Sequence, residues 1–316
     1  MKCRKCGATA AINMRHHRLA LCASHYLEWI PEQTQRTIEH YRMFSLSDQV
    51  LVAVSGGKDS LGLWDVLDRL GYQTAGVYIG LGIDGGVRYS DQSLARCRAF
   101  AGARRLKLHT VDVPTELGAS IPEAARLTHR GQQKPCSVCG LTKRHVMNRV
   151  ALEAGVDVLA TGHNLDDEVA VLFGNTLSWS TGYLARQAPV LEARPGFVRK
   201  AKPFCRLMER ETAAYAVLRG IDYIYDECPF AEGATNLTHK DLLNRLEADR
   251  PGAKLSFYLS FLRARQTGAL LLPGAAEAES DLHACVTCGQ PTTAPGECTY
   301  CRTRRRIHEK REQRSR

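Results

Sequence analysis

The chain has 316 residues, 44% of them hydrophobic and 24% charged, a globular composition that excludes a fibre or a disordered polyelectrolyte. No apolar run approaches the roughly 18 residues of a membrane helix, and the start Met1-Lys-Cys-Arg-Lys-Cys6 has no apolar segment behind it, so a soluble, cytoplasmic protein with no membrane partner is expected. The formal charge of +10 sits at the ends: residues 302–316 hold eight Lys/Arg against two Glu, residues 1–45 hold seven against three, and the other 256 balance to zero.

A neutral body with basic ends points to a polyanion as partner, although a terminal charge run is equally read as a solvated, fraying tail. In chain order, the first module is Cys3-Arg-Lys-Cys6 followed by Cys22-Ala-Ser-His25. Two ligand pairs at this spacing make a closed, structural zinc site, with His16 and His17 as weaker competitors for the fourth position. A helix is expected over 31–44, with Pro31 in its first turn. The apolar, β-branched run Gln49-Val-Leu-Val-Ala-Val54 reads as a buried strand, and similar runs recur near 74–80, 106–112 and 156–161. Helical patterns fall between them at 59–70, 90–103, 140–154 and 165–177. Such alternation predicts a parallel sheet with helices on both faces and ligands at the carboxyl ends of the strands.

Directly after the first of these strands stands Ser55-Gly56-Gly57-Lys58-Asp59-Ser60. The glycines let backbone N–H groups close around an anion at a helix N-terminus. Neither a Walker A loop nor a dinucleotide fingerprint fits, since Val52 and Asp59 occupy the deciding Walker positions and the third fingerprint glycine is missing. Asp59 beside a polyphosphate calls for a bridging cation, namely Mg²⁺.

Farther on, Cys136-Ser-Val-Cys139 and the distant Cys228 form a three-thiol group. By spacing alone it is an iron–sulfur site with one open iron, a zinc site completed by a further ligand, or a redox pair. A helix begun near Pro135 would put Cys136, Cys139 and Lys143 on one face, with Arg144 the residue left to solvent. Past the fourth strand comes Ala160-Thr-Gly-His-Asn-Leu-Asp-Asp-Glu168, again at a strand-to-helix turn. Its carboxylates are favoured there by the helix dipole alone, yet Asp167 is also a candidate for proton handling, ahead of Asp166. Helices follow at 207–219, 236–248 and 252–266, then a linker at 273–281. Last comes Cys285-Val-Thr-Cys288 with Cys298-Thr-Tyr-Cys301, the ligand set of a second structural zinc site. Side-by-side packing of the two zinc modules is expected. Cys97 and Cys205 read as buried single thiols.

The SGGxDS loop resembles the PP-loop of N-type ATP pyrophosphatases, which cleave ATP between its α and β phosphates. With SGGKDSL, CSxCGLxKR, ATGHNLDDE and PGAKL, the chain from Cys3 to Cys301 is similar to the TtcA/TtuA family of tRNA 2-thiolation enzymes, in its TtuA-type group with zinc modules at both ends. The resemblance implies an α/β PP-loop ATP pyrophosphatase fold (adenine nucleotide α-hydrolase-like) flanked by N- and C-terminal zinc-binding modules. The implied domains are residues 1–30, 31–272 and 273–303, ahead of a basic tail at 304–316.

It further implies ATP held by Ala53, Ser55, Gly56, Gly57, Lys58, Asp59, Ser60, Ile79, Lys143 and Gly162, with Ser55, Asp59, Lys143 and Asp167 in catalysis. Adenine would lie near Tyr78–Ile79, under a mobile lid at 80–86. Cys136, Cys139 and Cys228 would hold a 4Fe–4S cluster. The implied reaction adenylates the C2 oxygen of a uridine-type base of tRNA, 5-methyluridine in the T-loop, and replaces it with sulfur from the C-terminal thiocarboxylate of a ubiquitin-like carrier protein. A homodimer is compatible with this reading. The alternatives are the wobble uridine as target, PP-loop amide ligation, and an RNA-binding zinc-ribbon protein without catalysis.

Overall fold

The computed structural model describes residues 1–128, 135–231, 235–272 and 282–315; the linker expected at 273–281 lies outside them. A six-stranded sheet organises the chain. Its strands are β3 (Gln49–Val54), β4 (Gln73–Gly80), β5 (Lys107–Asp112), β6 (Val158–Thr161), β7 (Val190–Leu191) and β8 (Arg199–Ala201), in the order β5-β4-β3-β6-β8-β7. All pairs are parallel except β7–β8. Alternation along β3 builds two cores at once: Val50, Val52 and Val54 face one side, and Leu51, with Val77, Ile79 and Leu159, faces the other.

The helices follow the expected pattern closely. They are α2 (Lys58–Arg69), α3 (Tyr89–Arg104), α4 (Val113–Leu117), α5 (Ile121–Thr128), α6 (Pro135–Glu153), α7 (Leu165–Leu177), α8 (Thr181–Arg186), α9 (Glu209–Leu218), α10 (Thr235–Asp249) and α11 (Ala253–Gln266). Sequence order reverses between β3 and β6, and in open parallel sheets that crevice is where ligands bind.

Several expectations are corrected. The helix expected over 31–44 is α1 (Ala23–His40), and Pro31 lies inside it. Proline removes the N–H that Leu27 O would accept; Arg69 Nη1 donates to that carbonyl instead, at 2.9 Å, so the helix runs on. The two modules expected to bind zinc do not pack side by side. The N-terminal module, β1 (Ile12–Met14) and β2 (Leu19–Leu21), joins the core on one face of the sheet through Cys3, Met14 and Cys22. The C-terminal ribbon, β9 (His283–Ala284) and β10 (Pro291–Thr292), joins the core on the other through Cys285, Cys298 and Cys301.

The stretch expected as a lid is anchored at its start. Leu81 and Ile83 are buried, Leu81 O accepts from Ile121 N at 3.0 Å, and Ile83 N donates to Ser90 Oγ at 3.0 Å. The basic tail is not frayed either: Thr299–Ser315 is a helix, α12, seated by buried Tyr300, Thr303 and Ile307. No helix among the described residues is long and apolar enough to cross a membrane.

Candidate active site and metal centres

The carboxyl ends of β3, β4 and β6 open into a cavity of about 300 Å³. Ala53, Ser55, Gly57, Asp59, Ser60, Ile79, Lys143, Gly162 and Asp167, all named from the sequence, line it together with Tyr89, Ser93, Met147, Thr161 and His163. The loop after β3 is held by its own serines: Ser60 Oγ accepts from Ser55 N at 3.1 Å and donates to Gly57 O at 3.0 Å. Gly56 has a φ of +77°, and a Cβ there would lie 2.7 Å from Ser93 O. Gly162 meets the same loop from β6, where a Cβ would sit 2.8 Å from the Asp59 carbonyl. Both glycines therefore serve close backbone approach, and the Gly162 contact is to the loop itself.

Asp59 is the hub. Its Oδ1 accepts from Thr212 Oγ1 and, at 3.2 Å, from Asn164 Nδ2, and its Oδ2 pairs with Lys58 Nζ at 2.9 Å. Lys58 also pairs with Glu209 at 2.8 Å and does not line the cavity, nor does Gly56. Burial works to raise the Glu209 carboxyl, but Lys58 and Lys240 outweigh it and hold it at about 2. Asp167 closes the N-terminal cap of α7, accepting from Asn164 N at 3.1 Å, and pairs with Lys240 at 2.7 Å. Those commitments suit a positioning carboxylate better than a base. Asp166 is buried against Lys254 at 2.5 Å and accepts from Glu209 N, a structural role. His163, exposed on the cavity wall, hydrogen-bonds Thr161 Oγ1 at 2.8 Å.

Sequence reasoning missed Thr212, Glu209 and Lys240, because α9 and α10 carry no motif and reach the loop only through folding. An acidic and hydroxylic first turn at α9 was the only available signal. Thr161 and His163 lay within a recognised motif but were given no role.

The three-thiol group lies beside this cavity. Burial raises the Cys139 thiol, Lys143 opposes that by charge and hydrogen bond, and the Cys228 and Cys136 thiols push it further up, so the Cys139 sulfur feels both of the others. Cys136 Sγ lies 3.6 Å from Phe230 O, on the segment that carries Cys228. That segment is pinned to the phosphate loop by Ile224 N donating to Gly56 O at 2.9 Å. Tyr89 and Lys143 belong to the cavity wall and also sense or touch these thiols.

The donor sets separate the metal centres. At the N-terminal group Cys6 and Cys22 are 3.8 Å apart, with His25 Nδ1 at 3.3 Å from Cys22 and 3.5 Å from Cys3. At the C-terminal group Cys288 and Cys298 are 3.9 Å apart. Bonds of about 2.3 Å in a tetrahedron put thiolates about 3.8 Å apart, so each set of four fits one zinc ion. Against the upward push of burial, backbone N–H groups draw the Cys3 and Cys285 thiols down to about 6, the thiolate form a metal needs. His16 and His17 take no part; they face Glu211, at 3.3 and 4.0 Å.

Cys136, Cys139 and Cys228, by contrast, do not gather within 4.8 Å among the described residues, as each terminal group does. Their spread suits a cluster several ångström across better than one zinc ion. Two further carboxylates, Asp59 and Asp167, line the cavity as hard oxygen donors of the kind Mg²⁺ takes. Cys97 and Cys205 are fully buried, and burial pushes the Cys97 thiol up to about 12 and Cys205 higher still.

Comparison with known proteins agrees with this layout. Residues 2–27 match the N-terminal LIM domain of the 2-thiouridine synthetase TtuA, and residues 30–232 match the PP-loop domain. The Thermus thermophilus tRNA-5-methyluridine(54) 2-sulfurtransferase is 49% identical over 96% of this chain and 90% of its own length. The Pyrococcus horikoshii protein of the same name is 39% identical over 96% and 93%. The fold of Methanococcus maripaludis U34-tRNA thiolase NcsA, solved with its 4Fe–4S cluster, superposes with a TM-score of 0.78 over 97% of this chain and 96% of that one, at 23% identity. A phosphate loop of the ATP-pyrophosphatase type, a TtuA-specific amino-terminal module and relatives this similar along nearly the whole chain place it in the TtuA-type family of PP-loop tRNA 2-thiolation sulfurtransferases.

Proposed function

We propose that the chain replaces the C2 oxygen of 5-methyluridine at position 54 of tRNA with sulfur, in an ATP-dependent reaction. One observation carries the reading: a loop built to grip a polyphosphate lines the cavity and the three thiols lie beside it, joined to it through Lys143, Tyr89 and the Ile224–Gly56 hydrogen bond. The target follows the more similar relatives, 49% and 39% identical and named for position 54, over the 28% identical Haloferax volcanii tRNA 2-thiolation protein NcsA.

In the proposed sequence, Ser55, Ser60 and the N-terminus of α2 bind the ATP phosphates. Asp59 and Asp167 supply the oxygens for Mg²⁺, which would neutralise the leaving pyrophosphate. The C2 oxygen attacks the α-phosphorus, the bond to the β-phosphate bridging oxygen breaks, and the base carries AMP on that oxygen. Lys143, beside the cavity, stabilises negative charge on the phosphate or on C2 as sulfur adds. AMP then leaves with the former C2 oxygen. Cys136, Cys139 and Cys228 would hold a 4Fe–4S cluster, whose chemistry is to offer an open iron site to inorganic or carrier-derived sulfur. The sulfur source is the C-terminal thiocarboxylate of a ubiquitin-like carrier, whose C–S bond is hydrolysed, so that water's oxygen stays on the carrier as a carboxylate and hydrosulfide is the species that adds to C2. Cys3, Cys6, Cys22, His25 and Cys285, Cys288, Cys298, Cys301 hold structural zinc.

The test is anaerobic incubation of the iron-loaded protein with ATP, a sulfur donor and tRNA. The expected result is AMP and pyrophosphate in step with 2-thiolated 5-methyluridine in the nucleoside digest. Release of ADP and phosphate, nucleotide turnover indifferent to tRNA, or thiolation at the wobble position would each overturn the reading in turn.

A further inference from the structure

One group of metal-ligating side chains lies outside both terminal cysteine sets and outside the central thiols. Between β1 and β2 the chain makes a single 3₁₀ turn, Arg15–His17. That turn brings His16 and His17 against Glu211, in the first turn of α9. One nitrogen of each ring and one Glu211 oxygen lie within 4.8 Å of one another. His25 is the fourth member of the amino-terminal set, so neither ring is needed there.

The accounting of buried polar atoms singles out the same place. Glu211 is 2% exposed; its Oε2 accepts from Met208 N at 2.8 Å and its backbone carbonyl from Tyr26 Oη at 2.7 Å. Its Oε1 is buried with no hydrogen-bond donor among the described residues, and His16 Nε2, also buried, is equally without a hydrogen bond. The two atoms stand 3.3 Å apart but are not aligned as donor and acceptor. Burying a carboxylate oxygen in that state is costly, and one cation between the two atoms would satisfy both. Bonds of about 2.0–2.1 Å in a tetrahedron set donor atoms about 3.3 Å apart. His16 and Glu211 already have that separation, and His17 Nε2, 4.0 Å from the same oxygen, belongs to the more exposed ring, which can turn inward.

We propose that His16, His17 and Glu211 form a third metal site, one that takes Zn²⁺ through two imidazoles and a carboxylate. Three protein ligands leave the fourth position to water, the donor count of an open zinc centre rather than of the closed cysteine sets. A cavity of about 390 Å³ adjoins His16 and Glu211. The ion joins the amino-terminal hairpin to α9, whose first turn pairs Glu209 with Lys58 and donates from Thr212 to Asp59 in the phosphate loop. It therefore fixes the amino-terminal module on the helix that braces that loop. The competing reading is a plain imidazolium–carboxylate pair, which takes up no ion.

The experiment uses full-length, iron-loaded protein kept anaerobic, so that the central thiols are not free to take zinc. With zinc in excess and then removed by gel filtration, metal analysis should find three zinc ions per chain in the wild type and two in His17→Gln and in Glu211→Gln. His17 is exposed, and glutamine at 211 can still accept from Met208 N, so both variants should unfold like the wild type when only two ions are bound. In a titration against a competing chelator, affinity for the third ion should fall at least about a hundredfold in each variant, the upper end of what losing a mere hydrogen-bond partner of a ligand costs. The third ion should raise the unfolding temperature of the wild type alone. With Co²⁺ in its place, the third equivalent should add d–d absorption without the thiolate-to-metal charge transfer of the cysteine sites. A wild type that stops at two ions would overturn the inference and leave the simple ion pair. So would a third ion retained by both variants, or one whose cobalt spectrum shows thiolate ligation.

Discussion

The terminal cysteine groups and the central one use the same residue in opposite ways. In each terminal group four ligands come from a short stretch of chain, lie within 4.8 Å of one another and include buried thiols, leaving no room for a substrate. The central group takes Cys136 and Cys139 from the first turn of α6 and Cys228 from a segment roughly ninety residues later, with Cys136 exposed and the other two half-buried. A closed set of ligands can only stabilise. An open set beside an ATP cavity can present something, and the cost of keeping it open is that distant segments must be braced, here by Ile224 on Gly56 and Lys143 on Cys139.

That contrast breaks most visibly when a ligand is removed. Cys298→Ser should release one zinc and unfold the carboxy-terminal ribbon, since structural zinc contributes about 10–16 kcal/mol of apparent binding free energy to a module that small. Proteolysis within 282–303 and metal analysis would show it. Cys228→Ser should leave zinc content and thermal unfolding near wild type and abolish thiolation; if it unfolds the protein as Cys298→Ser does, the contrast is wrong.

Asp59→Asn is expected next in size. Its amide oxygen can still accept from Thr212 and Asn164, but the pair with Lys58 is lost and a carboxylate is removed from the cavity, and kcat/KM should fall about 10²–10³-fold, in the range seen for loss of one electrostatic stabiliser. Both cysteine classes should keep their metals, which a metal assay on the same sample would check. Lys143→Ala should have a smaller effect, because it removes the positive charge that opposes the upward push on the Cys139 thiol. Alkylation of Cys139 in iron-free protein at pH 8 should slow severalfold; an unchanged rate would dissociate Lys143 from the thiols.

The smallest effect concerns pH. Glu209 has its carboxyl lowered from about 4.5 to about 2 by Lys58 and Lys240, so its ion pairs stabilise the fold fully above pH 4.5 and lose that contribution as pH falls toward 2. Glu209→Gln should therefore lower stability by a constant, small amount above pH 5, with the difference from wild type shrinking on acidification. A third of this side chain is exposed, so screening keeps the effect modest. Denaturant titrations at pH 7 and pH 3 would measure it.

The linear order of residues determined a good deal about this protein. Hydrophobic runs and glycine loops marked the main strands and helices to within a few residues, since local periodicity and turn chemistry dictate those elements. Cys-x-x-Cys and Cys-x-x-His pairs announced the terminal ligand sets because all four donors are close in the chain. What only tertiary structure decided involves groups brought together from far apart. Thr212 and Asn164 on Asp59 and the Lys58–Glu209–Lys240 chain depend on contacts over about 30 to 150 residues that no local pattern encodes. The same holds for α12, whose charges read as a solvated tail until Tyr300 and Ile307 are seen packed. Few apolar positions carry that helix, so its order comes from the surface it docks on rather than from its own sequence period.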